Sequence, residues 1–263
     1  MDLEYIDLIN YCLFFPSLTA GPIARFEYFK QEFLNENKEF WLDINTGSTR
    51  IVWGLFKKYF VADSLSIIAI NERLAYQIHK PIWMWVAVFA YAGMIYFDFS
   101  GYTDIAIGIA QLLGVRLPEN FDRPYVAENI TLFWNKWHIT LTQWFRAYFF
   151  NPLTRFLRTR EIKYPAWVII LITQLSTMLL VGFWHGITWN FLIWGLWHGF
   201  GLFFHYLFTK SDFFLREISN KFPKNQVTKT FSIVVTFTYI SIGWVWFALP
   251  DIKSALLVLK GLI

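Results

Sequence analysis

An all-α, polytopic membrane protein is what this sequence predicts, on three observations. The 263 residues are 56% hydrophobic and 21% aromatic but only 16% charged. A soluble domain carries roughly 25% charged residues and needs them for its surface. Fourteen tryptophans and thirteen tyrosines suit a chain with many membrane interfaces, where amphipathic rings settle at headgroup depth. Apolar stretches of spanning length recur, the clearest being the uncharged run from Pro165 to Trp184.

The first apolar stretch, Leu8 to Ala24, is just long enough to span, but Pro16, Gly21 and Pro22 interrupt it. A broken or re-entrant segment is expected, which survives at membrane depth only when buried in protein or lining a cavity. Residues 30–48 are polar and read as a linker or interfacial helix. Between Thr49 and Ile70 the pattern carries Lys57 and Lys58 in its middle. Two lysines at the bilayer centre are costly, so this segment is expected along the interface, or with the lysines at a helix end.

Ile82 to Phe97 is apolar and aromatic. The stretch after it, with Asp98, Asp104, Gly101, Gly108 and Gly114, is expected to be a packed or re-entrant helix. Pro118 and Pro124 punctuate a loop over 115–130. Phe133, Trp134, Trp137, His138, Leu141, Trp144, Phe145 and Tyr148 recur at three- and four-residue steps. That spacing predicts one amphipathic helix with His138 on its apolar face, ended by Asn151-Pro152. Spanning helices are expected over Pro165–Trp184, Ile187–Phe208 and Phe231–Leu249. The loops 155–163 and 210–229 each carry a surplus of positive charge. Two helices separate them, so the positive-inside tendency places both on the cytoplasmic side and the short turn near His185 toward the other.

Composition and motifs also exclude. The lone Cys12 rules out an internal disulfide and any multi-cysteine metal site, and no metal is expected. The net charge of +4 lies in loops rather than in an aromatic-interleaved stripe. Membrane lipids account for it, and no nucleic-acid partner is expected. Asp2 and Glu4 stand where a signal peptide would be basic. G-x-S-x-G, H-E-x-x-H and G-x-x-x-x-G-K-[ST] are all absent, so serine-hydrolase, zincin and P-loop chemistry lack their motifs.

Histidine chemistry in an aromatic setting remains. A neutral imidazole can take the proton of a hydroxyl as that hydroxyl attacks an acyl group. The competing reading is a histidine that merely hydrogen-bonds a backbone carbonyl, and for any one of them both stand. His198 is expected to pack or hydrogen-bond, His205 to lie at the interface and His79 in a loop.

Four ordered stretches then carry a resemblance: I-Y-F-D-F-S-G-Y-T-D-I-A-I-G-I-A (95–110), L-P-E-N-F-D-R-P-Y (117–125), F-W-N-K-W-H-I-T-L-T-Q-W-F-R-A-Y (133–148) and W-H-G-I-T-W-N-F-L-I-W-G-L-W-H-G (184–199). With F-F-P-S-L-T-A-G-P-I-A-R-F (14–26), G-L-F-K-K (54–58) and G-W-V-W-F-A (243–248), they resemble the membrane-bound O-acyltransferase family, in its bacterial alginate O-acetyltransferase-like branch. The resemblance implies one domain over residues 1–263, with broken and re-entrant helices around an internal tunnel.

It further implies an enzyme moving an acyl group, here acetyl, from a cytoplasmic acyl-CoA or other acyl thioester toward hydroxyls of a cell-envelope polysaccharide. No bound cofactor is implied. A secreted or periplasmic acetyltransferase partner would complete transfer, and the chain would be a multi-pass protein of the bacterial cell membrane. His185 corresponds to the family's catalytic histidine and His138 to its second. His138 would bind the acyl carbonyl or orient a reactant. Asp98, Asp104, Arg146 and Trp184 are the candidate substrate-binding residues, with structural anchoring the competing role for the two aspartates and a helix-end cation for Arg146. D-alanyl transfer to teichoic acid is the enzymatic alternative. A non-catalytic scaffold or a transport channel is the alternative of another class.

The chain departs from the family's pattern at Arg146-Ala147-Tyr148, where Arg-Asp-Tyr is usual, and at Asn135-Lys136, where a basic pair is usual. Against that pattern it also lacks the first several helices and the last, so Met1 is expected to be an internal start.

Overall fold

The computed structural model describes residues 5–35, 40–161, 163–210 and 225–263. In chain order the helices are α1 (Tyr5–Leu13), α2 (Phe15–Leu18), α3 (Phe26–Phe33), α4 (Phe40–Leu55), α5 (Asp63–Ser66), α6 (Glu72–Gln77), α7 (Pro81–Leu112), α8 (Ile130–Lys136), α9 (Ile139–Phe145), α10 (Asn151–Arg158), α11 (Ala166–His185), α12 (Trp189–Lys210), α13 (Gln226–Ala248) and α14 (Ile252–Gly261). A π-helical stretch, Phe56–Ala62, joins α4 to α5, and another, Arg146–Phe150, joins α9 to α10. Among the described residues no strand forms. Four helices are long and apolar enough to cross a membrane: α7, α11, α12 and α13. The expected all-α membrane domain is therefore what forms.

Two compact units divide the chain. The first takes residues 1–67, 93–122 and 138–141; the second takes 68–92, 123–137 and 142–263.

In the first unit the opening stretch is broken as its prolines require: α1 ends at Leu13, and Pro16 sits in the first turn of α2. A buried pair, Asp7 with Lys30 at 2.6 Å, ties α1 to α3. Ala24, Phe29, Ile107, Ala110, Val115 and Leu117 form the core beside them.

Two expectations are sharpened here. Lys57 and Lys58 do not stand at a helix end but inside the continuous helical run from α4 to α5. Each is neutralised by a carboxylate from α7: Lys57 meets Asp104 at 2.6 Å, and Lys58 meets Asp98. The stretch after Phe97, expected as a packed or re-entrant helix, is the packed one. It continues α7 as one 32-residue helix, about 48 Å at 1.5 Å per residue and so longer than the roughly 30 Å hydrocarbon core. Its glycines serve packing. Gly101 lies against Gly54 and Gly108 against Gly47, so close that an added Cβ at either α7 position would strike a carbonyl oxygen of α4 at 2.6–2.7 Å. The two helices are therefore antiparallel and pack backbone to backbone.

In the second unit, α11 and α12 form a hairpin closed by a turn over residues 186–188. Small residues again set the spacing: a Cβ at Gly182 would meet the Phe191 carbonyl oxygen at 2.5 Å, and one at Gly195 that of Met178 at 2.7 Å. Asn190 donates through Nδ2 to the Leu249 carbonyl at 2.7 Å, fastening the start of α12 to the end of α13. Trp197 and Tyr239 stack at 4.6 Å and exchange hydrogen bonds with each other's backbone carbonyls. The start of α13 carries a capping box between Asn225 and Thr228.

The helix expected over 133–148 is not one helix. It breaks at Trp137-His138, where His138 adopts φ 42°, and it does not end at Asn151-Pro152, which instead opens α10. Pro152 lies within a continuous helical run, directly after the π-helical stretch Arg146–Phe150, where the regular α hydrogen-bond ladder is already interrupted. The loop expected over 210–229 has Arg216, Lys221 and Lys224 outside the described residues, and with them much of its charge argument.

Candidate functional site

The break at His138 places the first candidate imidazole. A non-glycine residue in the left-handed region costs of order 1–2 kcal/mol, and the surroundings hold it there. Asn120, wholly buried at the end of the L-P-E-N run, receives the Ile139 amide on its backbone carbonyl at 2.9 Å. Its side-chain Oδ1 receives the Thr140 amide at 3.2 Å and the Thr140 hydroxyl at 2.9 Å, and lies 3.0 Å from His138 Nδ1. The first amides of a helix have no partner within it. Here a distant loop residue supplies the acceptors for α9. The His138 ring, itself buried, stands edge-on to Phe99 at 4.7 Å.

His185 ends α11 in the second unit. Its half-buried ring is boxed by Trp184 at 4.7 Å, Phe247 at 4.8 Å, Trp194 at 5.6 Å and Phe191 at 5.9 Å. Among the described residues no hydrogen bond ties down its imidazole. Trp184, beside it, is 58% exposed, as are Ile187 at 91% and Trp189 at 70% in the following turn. Such a cluster of exposed tryptophans suits a membrane–water interface.

His198 is fully buried against Trp134, Trp194 and Trp244, and neither ring nitrogen has a hydrogen-bond partner among the described residues. Among the described residues it packs and makes no hydrogen bond. His205 meets Thr131 at 2.9 Å and edges an apolar groove of 720 Å³ walled by Trp197, Phe200, Phe204 and Tyr239.

The candidate substrate-binding residues are distributed. Asp104 shares its carboxylate between Arg50 Nε at 2.9 Å and Lys57 Nζ at 2.6 Å, and Arg50 also engages Glu119. Burial works against the Arg50 charge, but the hydrogen bonds and charges of Glu119 and Asp104 outweigh it and raise its pKa. Asp98 holds Lys58. Arg146 donates to Asn135 Oδ1 at 2.8 Å at the start of a π-helical stretch, not at a helix end. Reading the sequence passes over Asn120, Thr140 and Arg50. For Asn120 the signal was present, since it lies inside one of the long motifs; for Arg50 nothing local marked it.

Residues 2–246 match the model of the membrane-bound O-acyltransferase family. The chain belongs to that family. Its similarity to the peptidoglycan O-acetyltransferase of Helicobacter pylori is 34% identity over 99% of this chain and 47% of that protein. To the probable alginate O-acetylase AlgI of Pseudomonas aeruginosa it is 35% identity over 95% of this chain and 44% of that one. To the teichoic acid D-alanyltransferase of Bacillus subtilis it is 31% identity over 92% and 60%. The chain thus spans about half the length of the first two of these relatives.

Proposed function

We propose that this chain performs acyl transfer at a membrane, moving an acetyl group from an acyl thioester to a hydroxyl of a cell-envelope polysaccharide, with His185 as general base. The observation that carries this reading is the setting of His185: an imidazole in an aromatic box at the end of a spanning helix, uncommitted by hydrogen bonds among the described residues. In the proposed step, a ring nitrogen takes the hydroxyl proton as the oxygen attacks the thioester carbonyl. The tetrahedral intermediate collapses, the carbon–sulfur bond breaks, and the imidazolium returns the proton to the leaving thiolate. Ester and thiol are the products.

His138 supports this step. Asp98 and Asp104 anchor α7 to α4 and the π-helical stretch after it, Arg146 braces Asn135, and Trp184 sets the depth of His185. Delivery of the thioester from the cytoplasm through an internal tunnel, a multi-pass place in the bacterial cell membrane, and an acetyltransferase partner beyond the membrane belong to the same reading. The D-alanyltransferase relative favours a second reading, in which the acyl group is D-alanyl and the acceptor teichoic acid.

The test is His185→Ala in cells, with acetyl and D-alanyl esters on the envelope polymers measured at matched protein level. Loss of one ester class is expected and names the acyl group. Unchanged content of both would leave the chain a scaffold or channel.

A further inference from the structure

We infer that Asn120 is a positioning residue for His138, holding its imidazole as the Nδ1–H tautomer so that Nε2 carries the lone pair. The inference rests on the acyl-transfer reading for what His138 does. The tautomer itself stands on hydrogen-bond geometry alone.

A backbone amide can only donate. The Thr140 N–H, 3.2 Å from Asn120 Oδ1, therefore orients the Asn120 amide, since the flipped form would set its NH₂ against that N–H. The Thr140 hydroxyl agrees with that direction: it accepts the Ile23 amide at 3.1 Å and turns its proton to Oδ1 at 2.9 Å. An amide oxygen carries no proton, so His138 Nδ1, at 3.0 Å from the same atom, must supply one. In a neutral imidazole the other nitrogen is then the acceptor.

This separates the two supporting roles open to His138. Binding an acyl carbonyl requires a donor at Nε2, which a neutral ring protonated at Nδ1 does not have. Orienting a reactant that itself donates requires an acceptor there, and that donated proton is a different one from the hydroxyl proton His185 takes. Asn120 thereby sets, from behind, that a neutral His138 acts through an acceptor. The same residue holds the left-handed backbone at 138 by taking the Ile139 and Thr140 amides, so ring direction and tautomer come from one clamp.

The full chain, labelled with ¹⁵N-histidine and reconstituted in lipid bilayers, tests this by NMR, with His138→Gln identifying the His138 signals. Protonated Nδ1 and proton-free Nε2 are expected at a pH where the ring is neutral; a protonated Nε2 would overturn the inference. Asn120→Asp preserves the acceptor and should keep the tautomer. Asn120→Leu should shift the ring toward the Nε2–H form and lower ester transfer at least tenfold in kcat with little change in donor KM. An unchanged tautomer in folded Asn120→Leu protein would also overturn it. If that variant does not fold, the wild-type spectrum decides. The expected tautomer in a chain whose ester transfer is indifferent to His185→Ala would refute the proposed function while leaving the Asn120 assignment standing.

Discussion

Gly101 and Gly54 meet backbone to backbone: a methyl group added at Gly101 would lie 2.7 Å from the Gly54 carbonyl oxygen. Neither helix can yield at that point without separating, because Gly108 and Gly47 make the same contact seven residues along. Gly101→Ala should therefore lower stability by about 1–3 kcal/mol, the usual cost of overpacking, read as a lower thermal midpoint in detergent. Gly93→Ala is the control. Its new methyl would meet only the tip of Leu65, at 3.0 Å, and the gain in helix propensity should make it neutral or slightly stabilising.

Asp104 neutralises two cations at once. Asp104→Asn should leave Lys57 without its ion-pair carboxylate and Arg50 with only Glu119, costing about 2–3 kcal/mol, near the lower end for a broken buried pair because both cations are partly exposed. Glu119→Gln, at a carboxylate whose side chain is more than half exposed, should cost below about 1 kcal/mol. Denaturation of the two variants side by side checks the order. An equal loss would show that Asp104 acts by something other than charge.

His198 is a buried polar group whose ring nitrogens lack partners among the described residues. Leaving such a group unsatisfied costs about 1–3 kcal/mol, and an apolar replacement of similar size recovers part of it. His198→Leu should therefore match or exceed the wild type in thermal midpoint and retain ester transfer. Loss of transfer at unchanged stability would place His198 among the working residues.

Asn190 is the fastener between α12 and α13. Asn190→Ala strands the Leu249 carbonyl and opens a small cavity, so about 1–3 kcal/mol should be lost. Protease sensitivity near residue 249 would report the loosening directly.

The sequence by itself determined the class of molecule. Long apolar runs with almost no charge dictate spanning helices, and Pro16, Gly21 and Pro22 dictate a broken first stretch, because such features act within a few residues of themselves. It also set out the histidines and the motifs around them. Only the tertiary structure decided how those residues are used. Lys58 finds its carboxylate 40 residues away and Lys57 finds its own 47 away, so a pair read as costly is neutralised inside the protein. His138 lies on a regular apolar period yet interrupts its helix, since Asn120, 18 residues earlier, supplies acceptors that the helix interior cannot. Periodicity reports which face is buried; it carries nothing about which distant polar group waits there, and hydrogen-bond partners of that kind set the backbone at 138 and the proton on its ring.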